Sequence, residues 1–167
     1  MKLLTVTFAA VSLVAISSAD LKSDVTSISS KVTGAIMKGD MKSLESVMRS
    51  IVTADFKYVE GGKTMTFDQM WKPMKASMSG IRCTMAKSTV SGLKEKGNMA
   101  TGVETHHMMG TMIGADKKSH KLTVDGTSTN TYMMVGKSWK MSKRVTGENK
   151  MTIDGKTIDM AKMGGGK

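Results

Sequence analysis

A chain of 167 residues has room for one ordinary domain, and 40% hydrophobic residues, 23% charged residues and a single Pro exclude a disordered or collagen-like protein. Lys and Arg outnumber Asp and Glu by 25 to 14, a formal charge of +11 that attracts anionic surfaces but decides no fold. At the N-terminus Lys2 precedes an apolar run over residues 3–16, and Ser17-Ser18-Ala19 puts small residues before Asp20. The pattern predicts a signal peptide over 1–19 with cleavage after Ala19, hence a secreted or periplasmic product with no permanent membrane span. Cys83 is the one cysteine, so no internal disulfide can form and the domain must rest on its core.

Leu21, Val25, Ile28, Val32 and Ile36 recur at helical spacing and predict a first helix that Gly39 ends. Asp40 then caps a second helix with the stripe Leu44, Val47, Met48 and Ile51. Phe56 and Tyr58 mark a short strand turning at Gly61-Gly62, after which Thr66 caps a third helix carrying Phe67, Met70, Trp71, Met74 and Met78, with Pro73 placed to bend it. From Gly80 the period changes to two. Ile81, Cys83 and Met85 are expected on one side of a strand, with Arg82, Thr84 and Ala86 on the other. Further strands are expected over 99–113 and 120–135, and a fourth in which Trp139, Met141 and Val145 face the core while Lys140, Ser142 and Arg144 face water. A small hairpin around Asp154-Gly155 follows, and the tail over 161–167 is expected to be disordered. Helices first and an antiparallel run after them make an α+β order.

Four local stretches, "KGDMKSLESVM", "ADFKYVEGGKTMTFDQM", "KGNMATGVETHHM" and "TYMMVGKSWKMSKRV", give this order a resemblance to the nuclear transport factor 2-like, or SnoaL-like, superfamily. The resemblance implies a cystatin-like domain over 20–160: a curved antiparallel sheet forming a cone around three N-terminal helices. It further implies an apolar pocket in the cone, a role ranging from isomerase or dehydratase to ligand binding without chemistry, and a homodimer through the sheet face.

The residues themselves set the expectations for a site. Methionine is abundant at 19, and at Met70, Met74, Met78, Met99, Met109 and Met141 it falls where core residues belong. His107 shares its strand face with Val103, Met109 and Ile113, so it is read as the polar contact of a Met-lined cavity, with Tyr58, Tyr132, Trp71 and Met109 around it. The ligand expected there is a small apolar molecule, bound without catalysis and without a cofactor. Two alternatives stand: an isomerase- or dehydratase-like enzyme using a pocket His, Asp (Asp55 among them) or Tyr, and a soft-metal protein binding copper or silver through His106-His107-Met108-Met109 and Met112. Scattered lysines, few aromatics and no recognised motif leave nucleic acid off the expected partners.

Overall fold

The computed structural model describes residues 18–158; the expected signal segment to residue 17 and the tail from 161 lie outside the described residues. Helix α1 (Ser18–Lys38) buries Leu21, Val25 and Ile28, with Val32 and Ile36 packed beside them. Gly39 stops it at φ 68°, a left-handed conformation suited to glycine. Asp40 accepts from the Lys42 N–H at 3.0 Å and opens α2 (Met41–Ile51), which buries Leu44, Met48 and Ile51. Helix α3 (Phe67–Met78) starts at a reciprocal cap, the Gln69 side chain accepting from the Thr66 N–H at 2.9 Å while the Thr66 hydroxyl accepts from the Gln69 N–H at 3.4 Å. Its Phe67, Met70 and Trp71 are buried against Phe56, each such side chain contributing about 1.5–3 kcal/mol.

Among the described residues seven strands form one sheet: β1 (Val52–Glu60), β2 (Lys63–Met65), β3 (Ile81–Lys96), β4 (Met99–Ile113), β5 (Ser119–Val135), β6 (Ser138–Ile153) and β7 (Lys156–Ile158). The order is β2-β1-β6-β5-β4-β3, with β7 on β6, and every pair is antiparallel except β1 with β6. Helix α1 lies along β3, and the Trp139 N–H donates to Asp24 at 2.9 Å, tying the start of α1 to the start of β6. The α+β class and the cone-like arrangement are therefore as expected.

Three facings differ from the sequence reading, and bulges or polarity explain them. A register shift between Cys83 and Met85 turns Met85 outward, 39% exposed, and brings Ala86 to the inner side. A second shift, where Tyr132 pairs with Met141 but Thr131 with Lys143, turns Arg144 inward. On β4 the facing is the reverse of that expected: Ala100, Gly102 and Glu104 are buried, whereas Val103, Met109 and Ile113 are exposed, so His107 stands on the outer face. Met70 and Met141 are core residues, but Met99 and Met109 are not, being 46% and 43% exposed.

Candidate functional site

The inner face of β3–β6 holds a belt of polar groups next to the apolar core. Register aligns Glu104 with Ser128, and Asn130 with Gly102 and Arg144. Glu104 accepts from Asn130 Nδ2 at 2.7 Å, from Arg144 Nη1 at 2.9 Å and from the Ser88 hydroxyl. Asn130 Nδ2 also donates to the Tyr132 hydroxyl oxygen at 3.3 Å, and the Ser128 hydroxyl donates to Asn130 Oδ1 at 3.2 Å. Asn130 and Tyr132 are fully buried, and the Glu104 side chain is 9% exposed. Burial alone would raise the Glu104 carboxyl, but Arg144 and the donors Ser88 and Asn130 outweigh it and hold the group below the usual carboxylate range. Burial pushes the Tyr132 phenol up to about 12. Glu104 is thus held as a carboxylate at neutral pH, 2.9 Å from the Arg144 guanidinium.

Two residues along from the Glu104–Ser128 pair, on the same face, Gly126 lies between His106 and Asn149. An added Cβ at Gly126 would collide with both His106 Nε2 and Asn149 Oδ1, so only glycine lets the two side chains meet over β5. Among the described residues, His106 Nδ1 and Asn149 Oδ1 are buried without a hydrogen-bond partner. Burial first, and Arg144 second, lower the His106 pKa, so its imidazole is neutral at neutral pH. An open depression of about 490 Å³ on the outer side of the same strands is lined mostly by Thr105, His107, Asp125, Thr127 and Lys150, with His106, Gly126 and Asn149 at its floor. On the hairpin side of His106 the next inner row is apolar and half-buried: Ala86, Met108, Val124, Met151 and Ile158. A second groove, about 410 Å³, runs between α1 and β3 past Lys22, Val25, Ser29 and Val90.

Of the five residues expected to share a pocket, Trp71, Tyr132 and Tyr58 meet in the core cluster, whereas His107 and Met109 stand on the outer face. Trp71 and Tyr132 are buried in the core, Tyr58 is half-buried with its hydroxyl 3.4 Å from Glu60, and Met109 is exposed. His107 lines the depression from the outer face, its Nδ1 2.5 Å from Asp125 Oδ1. Neither cavity is lined by methionine. Glu104, Asn130, Arg144 and Asn149 were missed as site residues and His106 was named only as a soft-metal ligand, although Glu104 and His106 share one strand parity with Gly102 and Gly110. Among the described residues no group of three His, Cys, Asp or Glu is arranged to hold a metal ion.

No protein-family model matches the sequence, and no curated protein matches it either. Solved structures do. A hexachlorocyclohexane dehydrochlorinase aligns over 80% of this chain and 88% of its own, at 16% identity and a TM-score of 0.57. A protein from Kribbella flavida aligns over 78% and 93%, at 10% identity and a TM-score of 0.58. A nuclear transport factor 2-like protein from Cytophaga hutchinsonii aligns over 78% and 98%, at 12% identity and a TM-score of 0.51. The chain has the nuclear transport factor 2-like fold. At these identities the likeness fixes the architecture, and the chemistry of this cone must be argued from its own residues.

Proposed function

We propose that this nuclear transport factor 2-like domain binds a small, mainly apolar molecule bearing one hydroxyl or carbonyl group, without transforming it. The observation that supports the reading is that two side chains flanking Gly126 each carry an unpartnered buried polar atom, His106 Nδ1 and Asn149 Oδ1. A buried polar atom left unpaired costs about 1–3 kcal/mol, a cost that a bound polar group would remove. The adjoining row Met108, Val124 and Met151 offers the apolar part of such a ligand a surface, and methionine adapts to irregular shapes. The polar anchor is thus His106, one residue from the His107 that face polarity suggests.

The test uses 2-naphthol against naphthalene, which differ by one hydroxyl. The wild type should bind 2-naphthol more tightly, and His106→Leu and Asn149→Leu should erase that preference while retaining a cooperative melt. Equal affinity of the wild type for both probes, or binding of neither, would reject the reading. A second reading, an isomerase- or dehydratase-like enzyme, draws support from the neutral His106 imidazole, which can accept a proton. The His106-His107-Met108-Met109 run divides between the two faces of β4, so the soft-metal reading gains nothing from it. We further propose that the chain is exported, on the strength of its N-terminal pattern alone.

A further inference from the structure

The outer face of the sheet carries a transverse row that the cone site does not use. Register places Lys57, Lys143, Thr131, Thr101 and Lys94 side by side across β1, β6, β5, β4 and β3. All three lysines are exposed, as is Thr101, and Thr131 is half-buried. At about 4.8 Å per strand the row spans roughly 19 Å. Lys57 and Lys143 are direct Cα partners, and like charges directly opposite each other oppose folding. Among the described residues none of the three lysines makes an ion pair, with Asp55 two positions before Lys57 or with any other carboxylate. The next row towards the strand ends adds Lys140 and Lys96 around Met133 and Met99. Farther along the same face Lys87 and Lys150 flank the His107–Asp125 pair.

We infer that this face docks a linear acidic polysaccharide lying across the strands, with an acidic group of the sugar chain between Lys57 and Lys143 and sugar hydroxyls against Thr131 and Thr101. Charge complementarity selects an anion, because a negative group between the two ammonium groups offsets their mutual repulsion. The hydroxyl-bearing centre of the row suits a sugar backbone. The aromatics of the sheet, Phe56, Tyr58, Tyr132 and Trp139, sit on the inner side, so the face has no platform for stacked bases. This inference is independent of the cone ligand.

The experiment measures binding of a polygalacturonate oligomer by calorimetry at several salt concentrations, with neutral dextran, phosphatidylglycerol vesicles and duplex DNA as comparators. The double variant Lys57→Gln, Lys143→Gln should bind polygalacturonate at least ~10-fold more weakly and release about two fewer counterions. The helix variant Lys31→Gln, Lys72→Gln removes the same charge from exposed sites and should change affinity less than ~3-fold. Lys57→Gln alone should melt at a higher temperature than wild type in the absence of any polymer, since it relieves the like-charge pair. Equal weakening in both double variants would show bulk charge alone and overturn the proposal. So would no preference over neutral dextran, a Lys57/Lys143-dependent preference for vesicles or DNA over the polysaccharide, or a wild-type dimer that the face variant dissociates.

Discussion

His106 and His107 are neighbours in sequence, yet one faces the cone and the other faces water, and the choice between them decides the site. The rule that apolar residues face inward misplaces them, because β4 buries Glu104 and exposes Val103. What overrides the rule is pairing: Ser88, Asn130 and Arg144 come from three other strands, and their hydrogen bonds to Glu104 offset its burial. No window of sequence around Glu104 contains those partners. The energetic consequence is specific. Arg144→Met leaves Glu104 buried without its counter-charge and should cost about 3–5 kcal/mol in a denaturant melt, whereas the double change with Glu104→Leu should recover most of that. Because Glu104 is held below its ordinary pKa when folded, its contribution is present at neutral pH. It is lost only as pH falls below the ordinary carboxylate range towards the lowered value. Gly126→Ala forces His106 or Asn149 aside and should cost about 1–3 kcal/mol, the range for overpacking.

Whole elements were the most legible part. Both helix caps, at Asp40 and Thr66, are local signals, since the residues that make each cap lie within three positions of one another. Thr66→Ala should accordingly cost about 1 kcal/mol in thermal stability. The stripe of α3 was legible for the same reason: Met70→Ala should cost about 2–5 kcal/mol, and Met70→Leu less than about 1.5. The bulges were not legible, because Thr84 and Ser142 are ordinary strand residues and only the partner strand shows where a position is skipped. The hairpin tips carry a link of their own. His120 Nδ1 is 2.7 Å from Asp154 Oδ2 and its Nε2 is 2.9 Å from Asp116 Oδ1, joining the β4–β5 turn to the β6–β7 turn. Donating hydrogen bonds to Asp116 and Asp154 raises the His120 pKa. The link therefore contributes fully below about pH 6.5 and fades as pH rises through the raised value. Melts across that range should show a loss on the alkaline side that His120→Asn removes; equal pH profiles would rule out the link.

At the scale of the molecule, the helix-first order predicted the architecture, but the sequence had no means of showing which strand β1 would join. Export remains a matter for the N-terminus: sequencing of secreted protein should begin at Asp20, two residues inside α1, and a product retaining Met1 would contradict it. The parallel seam between β1 and β6 has a consequence in time. Val52 lies beside Met141 and Val59 beside Val145, so the first strand made is completed by nearly the last. While the polypeptide is being synthesised, the three helices and β1 wait with an unsatisfied edge until β6 emerges, and closure depends on a contact between distant parts of the chain. A version ending at Gly136 should show no cooperative melt, and refolding of the intact chain should be slower than its helical content suggests. The long wait also makes the exposed edge of β1 the place where a half-made copy is most open to pairing with the wrong strand.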